Sequence, residues 1–178
     1  MAAIAAQKSE RLARELAGSV PDPELPMLSV DDLGILRDVR LDGERVVVTI
    51  TPTYSGCPAM ATIRDDLVHR LQHTGFHDVE VRVRLAPAWS SDWISERGRQ
   101  ALRRHGIAPP GRARHPKAGS APSSGPILLS LMTRRPQMSC PRCGSDDVEL
   151  LSRFGATACK ALYRCSACLE PFEHVKEI

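Results

Sequence analysis

At 178 residues, with 42% hydrophobic but only 4% aromatic content, the chain can bury one modest core plus a small accessory module. A net charge of +3 is too small to argue for a nucleic-acid or membrane partner by itself. No apolar run reaches the roughly 18 residues of a membrane span, and MAAIAAQKSERLARELAG is interrupted by Lys8, Glu10 and Arg11 where a secretory signal would be apolar, so a cytoplasmic, reducing location is expected.

In chain order, Ile4, Leu12 and Leu16 fall on one stripe of a first helix that Gly18 and the Pro21 to Pro26 turn bring to an end. LGILRDVRLDGERVVVTITP reads as two strands joined at Asp42-Gly43, a dipeptide that accepts positive φ and suits a tight hairpin. The loop TPTYSGCPAM leads into a second helix whose Met60, Ile63, Leu67 and Leu71 recur every three or four residues, ended by Gly75. VEVRVRL then alternates Val79, Val81, Val83 and Leu85 with charged residues, the period of a strand with one buried face. Asp92 is placed to cap a further helix running to His105, with Gly106 and Pro109 as its stop. The order αββαβ-α implies an α+β fold, a small mixed sheet with helices on one face and a right-handed crossover.

The segment 107–126, IAPPGRARHPKAGSAPSSGP, holds five prolines and three glycines, the composition of a semi-rigid linker. The chain is therefore divided into an α/β domain at 1–106, this basic linker, and a β module at 127–178. ILLSLM, Ile127 to Met132, has no assigned place: it extends the module, adds an edge strand, or meets a partner. Between Arg97 and Lys117 lie seven Lys and Arg residues and no acidic one, either a solvated helix and linker or a nucleic-acid surface. His69 and His73 share a helix but point away from the apolar stripe, which favours a solvated face over a metal site. Trp89 and Trp93 form either a docking patch or part of the core.

Chemistry concentrates in the cysteines. Cys140-Pro-Arg-Cys143 and Cys165-Ser-Ala-Cys168 are two C-x2-C knuckles with 21 residues between them, the spacing of a four-cysteine zinc ribbon, although sulfur spacing does not discriminate zinc from iron. Such a module buries little apolar area, so metal supplies much of its folding free energy, on the order of 10 kcal/mol. Cys57 precedes Pro58 at the first turn of the second helix, where free amides and the helix dipole favour a thiolate; its alternatives are iron or cluster binding, nucleophilic chemistry, or a small buried turn residue. Cys159 stands before a ribbon strand, as a structural residue or an additional thiol ligand.

DPELPMLSVDDLGIL, TPTYSGCPAM and LAPAWSSDWISERGR together resemble the family of domain of unknown function 59, the SufT-like iron-sulfur assembly factors. With CPRCGS and FGATACKALYRCSAC added, the chain resembles the D-component branch associated with phenylacetyl-CoA epoxidase. The resemblance implies a non-enzymatic accessory factor of aerobic phenylacetate degradation that assists assembly of a metal centre. It implies partners among the reductase or oxygenase components, with homodimerisation possible and no membrane or nucleic-acid role. By position, Cys57 matches the family's T-x-x-x-C-P cysteine and Asp22, Pro23 and Glu24 its acidic turn, implying handling of iron or a transient iron-sulfur cluster. The ribbon ligands match Cys140, Cys143, Cys165 and Cys168, holding structural Zn2+. The alternative is a docking component of the oxygenase complex without metal transfer.

Overall fold

The structure is a computed structural model that describes residues 2–111 and 138–177, with side chains from Ser9 onward. Most of segment 107–126, the Ile127 to Met132 stretch and the basic residues Arg112, Arg114 and Lys117 lie outside the described residues. Helix α1 (Ala2–Gly18) is followed by strands β1 (Leu36–Asp42) and β2 (Arg45–Ile50), helix α2 (Ala59–Gln72) and strand β3 (Asp78–Val83). A 3-10 turn (Ser91–Trp93), helix α3 (Glu96–Arg104) and the two-residue strand β4 (Ile107–Ala108) complete this part. Strands β5 (Val148–Ser152), β6 (Lys160–Cys165) and β7 (Pro171–Val175) make the C-terminal module.

The first sheet has the order β1-β2-β3, antiparallel between β1 and β2 and parallel between β2 and β3. The hairpin forms where Asp42-Gly43 places it, with Gly43 at φ 63° in the tight loop and Asp42 paired to Arg45. Helix α2 buries Ala59, Ile63, Leu67 and Leu71, while Met60 is only partly covered. The stripe on α1 differs from the expected one. Ala13 and Ala17 are fully buried and Leu16 packs beside them, whereas Leu12 is 47% exposed. Small residues at the contact let the helix axis sit close to the sheet, so the leucine is turned outward.

The alternation in β3 also overstates its burial, because the strand lies at the sheet edge. Val79 and Val81 are partly covered, but Val83 and Leu85 are 43% and 60% exposed. Helix α3 is capped by Ser95, whose hydroxyl accepts from the Gly98 amide at 2.9 Å, and not by Asp92, which lies in the preceding 3-10 turn. Gly106, at φ 75°, follows the end of this helix.

The loop SVDDLG is fixed to α3 by one buried carboxylate. Asp32 accepts from Ser95 Oγ and Arg97 Nε at 2.8 Å each on one oxygen, and from the Ser29 amide, the Ser29 hydroxyl and Arg97 on the other. Its backbone carbonyl accepts from the Ser95 amide at 2.8 Å. Gly34, at φ 66°, lies where an added Cβ would come within 2.5 Å of Trp93 Cβ. Both tryptophans belong to this packing and not to a docking patch: Trp89 is 3% exposed and donates its indole N–H to Leu33 O at 2.8 Å. Trp93 stacks beneath the Arg37 guanidinium, 3.6 Å from the ring centre.

The second sheet has the order β4-β7-β6-β5 and thus incorporates β4, a strand contributed from well before the first ribbon cysteine. Ile107 and Ala108 pair in parallel with Glu173 and His174, so the first residues of the proline-rich segment are strand. Ile107 and Val175 join the main core, while Ala108 joins the smaller cluster with Met138, Tyr163 and Phe172. In each knuckle the residue after the second cysteine donates its amide to the carbonyl of the first: Gly144 to Cys140 at 2.9 Å and Leu169 to Cys165 at 3.0 Å. Both are left-handed, Gly144 at φ 77° and Leu169 at φ 63°.

Gly34→Ala should destabilise the fold by about 2 kcal/mol or more in denaturant unfolding, since it adds left-handed strain and a clash with Trp93. In the zinc-loaded protein, Leu169→Gly should raise stability by about 0.5–1 kcal/mol, the relief of left-handed strain minus the extra chain entropy of glycine. Burial raises the Asp32 pKa, but its hydrogen bonds from Ser95 and Ser29 and the Arg97 charge outweigh this and hold it below the ordinary 3.8. The stability it contributes is therefore complete above pH 3.8 and lost as pH falls through the lower folded-state value. Asp32→Asn should remove that acid dependence and cost about 2–3 kcal/mol at neutral pH.

Candidate metal and thiol sites

The four ribbon cysteines converge. Cys140 and Cys168 sulfurs lie 3.7 Å apart, those of Cys143 and Cys165 3.5 Å apart, and all four ligand atoms fall within 4.8 Å of one another. Metal–sulfur bonds of about 2.3 Å in a tetrahedron place sulfurs about 3.8 Å apart, so the donor set fits one zinc-sized ion. The Cys168 amide, with lesser help from that of Ala167, lowers the Cys165 pKa to about 7, while against the Glu170 amide burial and the neighbouring thiols push Cys168 up to about 12, so one thiol of the group ionises readily and Cys168 does not. Cys140 and Cys165 are buried and Cys143 is exposed, so the site is closed on the protein side and open at one corner.

Among the described residues the ribbon cysteines are the group of metal-ligating side chains that converges; around Cys57 the acidic residues Asp22 and Glu24 act on the thiol through their charges. Asp22 is buried, and its Oδ1 accepts from the amides of Glu24 and Leu25 at 2.9 and 2.8 Å, an Asx turn that fixes where Glu24 points. Burial pushes the Asp22 pKa up, against the pull of those two amides and of the Lys160 charge. Cys57 sits half-buried at the base of α2, its amide donating to Tyr54 O, with Pro58 at the N-cap position.

The expected low pKa of Cys57 is not found. Burial is the largest influence and raises it, the hydrogen bond with the Ala59 amide opposes this, and the charges of Glu24, Asp22 and Cys159 raise it further. Helix-end amides alone do not prevail beside two carboxylates and a second thiol.

The ribbon brings Cys159 to the same place. Its sulfur lies 4.0 Å from Glu24 Oε2 across 135 positions of sequence and 3.0 Å from Thr157 Oγ1. Its carbonyl accepts from the Lys176 amide at 2.9 Å. Tyr54 is acted on in the same way: burial and then the charges of Cys57, Cys159 and Glu24 raise its phenol. Tyr54 escaped sequence reasoning because it carries no metal-ligand spacing, although TYSGCP places it three residues from the thiol.

The other candidates stand apart. His69 and His73 are exposed and contact each other edge to face at 4.7 Å. Of the basic run, Arg97 pairs with Asp32, Arg99 donates to Pro110 O and Ser91 O, and Arg103 lies 3.8 Å from Glu96. These three are engaged by the fold rather than arrayed for phosphates. Among the described residues no helix is long and apolar enough to cross a membrane.

Two family models match separate parts of this chain. Residues 14–89 match the family model "Iron-sulfur cluster assembly protein", and residues 127–176 match "PaaD zinc beta ribbon domain". A crystal structure of a domain of unknown function 59 from Bacillus anthracis is similar at 30% identity, covering 56% of this chain and 96% of that one with a TM-score of 0.52. A conserved hypothetical protein from Thermotoga maritima matches at 28% identity over 53% of this chain and 92% of that one, with a TM-score of 0.44. A protein of Escherichia coli K12, named as the putative D component of 1,2-phenylacetyl-CoA epoxidase, is 42% identical over 161 residues, 90% of this chain and 88% of that protein. An iron-sulfur-assembly-type domain carrying a PaaD zinc ribbon, on a chain so similar from end to end, places the protein in the PaaD family of phenylacetyl-CoA epoxidase components.

Proposed function

We propose that the protein is an accessory maturation factor of the phenylacetyl-CoA epoxidase system in aerobic phenylacetate degradation, delivering iron or an iron-sulfur cluster to a metallocentre of the complex. The observation that carries this reading is Cys57, half-buried at the start of α2 in a domain of the iron-sulfur assembly family, with the charges of Glu24 and Asp22 acting on its thiol. A thiol flanked by carboxylates is a ligand set for iron, and the raised pKa of Cys57 argues against a standing nucleophile. Few protein ligands suit a carrier, which must release what it binds. The client is the reductase or the oxygenase component.

In this reading Cys140, Cys143, Cys165 and Cys168 hold a structural zinc. The metal supplies the folding free energy that the small cluster around Tyr163 and Phe172 does not. The chain itself performs no catalytic step. The Escherichia coli relative is named as a part of the epoxidase, which favours a second reading in which the chain docks on the complex without transferring metal.

The two readings separate in cells that express the whole system. Cys57→Ser should leave the abundance and zinc content of the chain unchanged while lowering client metal content and epoxidase activity at least several-fold. Full client metal and activity in that variant would reject the delivery role and leave the docking role.

A further inference from the structure

The loop joining β5 to β6, residues 153–159, carries Cys159 at one end and an exposed aromatic ring at the other. We propose that this loop is a docking surface: Phe154, flanked by the cations of Arg153 and Lys176, is the anchor for an apolar pocket rimmed by carboxylates on a protein of the epoxidase complex. The proposal rests on the reading of the chain as an accessory of that complex for the identity of the partner, and on the loop's own geometry for the surface.

Single exposed apolar side chains are ordinary on a protein surface. Here three fall within five positions: Leu150 and Leu151 are 44% and 46% exposed, and Phe154 is 66% exposed. They lie at the end of β5, an edge strand of the ribbon sheet, and just past it.

The backbone that presents the ring is fixed. The Phe154 amide donates to Ser152 Oγ at 3.1 Å, the Gly155 amide to Lys160 O at 2.8 Å and the Ala156 amide to Glu173 Oε1 at 2.9 Å. Lys176 closes the loop with both its nitrogens, the amide donating to Cys159 O at 2.9 Å and the ammonium to Ala158 O at 2.7 Å. Glu173 is itself held by Lys160 at 2.7 Å, in an ion pair whose side chains are 24% and 6% exposed. Gly155 belongs to the same arrangement, since an added Cβ would come within 2.8 Å of Glu173 Oε1. A partner that covers the ring therefore orders little further chain, and aromatic rings offered in this way are the anchors of protein interfaces.

Charge selects the partner. Lys176 Nζ stands 4.4 Å from the centre of the Phe154 ring, and Arg153 is exposed with no ion pair among the described residues. Residues 153–160 include no acid, and Glu173 and Glu177 are engaged by Lys160 and by the Gly111 amide. A second copy seated on the same patch by a twofold axis would set these cations against their own equivalents, so the complement is a carboxylate-bearing surface and not this chain again. Two cations beside aliphatic Leu150 and Leu151 also make a poor match for a run of phosphates.

Position gives the surface its use. Phe154 and Cys159 are five residues apart, at most about 18 Å of chain, and the Cys159 sulfur lies 4.0 Å from Glu24 Oε2. A partner anchored on the ring is held beside the acidic turn of the first unit.

The test titrates the zinc-loaded full chain with the purified oxygenase component and, separately, the purified reductase component of the same organism's epoxidase, reading affinity by biolayer interferometry at low and high salt. The wild type should bind one of them. Phe154→Ala should weaken that binding at least about 30-fold, and Arg153→Glu about 10-fold with a shallower salt dependence. Both side chains are exposed, so each variant should keep one zinc and the wild-type far-UV spectrum. Leu85→Ala, which trims an exposed apolar side chain of the first unit, should bind as wild type.

Wild-type affinity in Phe154→Ala, or an equal loss in Leu85→Ala, would overturn the docking surface and leave the accessory reading standing. Displacement of the partner by single-stranded DNA at physiological salt, or a wild-type dimer that Phe154→Ala dissociates, would give the patch to a different occupant and overturn it as well. Binding of neither component would overturn the surface and the accessory reading together. Cys57→Ser, the variant that decides delivery in cells, should bind here as wild type.

Discussion

The convergence of four thiols on one point is the constraint from which the C-terminal half follows. Among the described residues its apolar cluster holds seven buried residues, and two of them are the cysteines Cys140 and Cys165. Hydrophobic burial on that scale does not hold three strands and two knuckles in register. A tetrahedral ion bound by the four thiols would tie the knuckle at residues 140–144 to the end of β6 and the start of the turn into β7. Cys159 immediately precedes Lys160, whose register partner is Val175, so the pairing of β6 with β7 sets its location.

The two units are joined more closely than a tether would join them. Strand β4 belongs by chain order to the first unit and by hydrogen bonding to the second sheet, and Val175 of β7 is buried with the core of the first. Gly111 N donates to Glu177 at 3.2 Å at the same seam. These contacts set the ribbon against the Asp22 to Leu25 turn and the base of α2, the surface on which Glu24 and Cys57 stand.

Local features were legible in the sequence and long-range ones were not. The hairpin at Asp42-Gly43, the buried stripe of α2 and the paired knuckles rest on spacings within a few residues, and each appears where the pattern puts it. Leu12 misled because hydrophobicity outranked size: at a close helix-to-sheet contact alanine fits and leucine does not. Val83 and Leu85 misled because alternation does not say whether a strand is central or at an edge. Asp92 resembled a cap, but Ser95 had the right distance to Gly98, whose own missing side chain admits the Asp32 carbonyl. Cys57 was expected to be acidic from its place at a helix start; burial reverses this first, helped by carboxylates from a turn more than thirty residues earlier. The approach of Cys159 to Glu24 spans most of the chain, a distance on which no motif reports.

The short strand β4 carries a further consequence for the molecule. Only two residues long, it covers one edge of β7 with main-chain hydrogen bonds that would otherwise face outward. Without it β7 would offer an unpaired margin next to Phe172, a template on which any extended chain could add itself. The ribbon is thus a module whose guard is encoded on the far side of the intervening segment. A ribbon cut free at residue 127 would keep its metal ligands and lose the strand that pairs with the edge of β7.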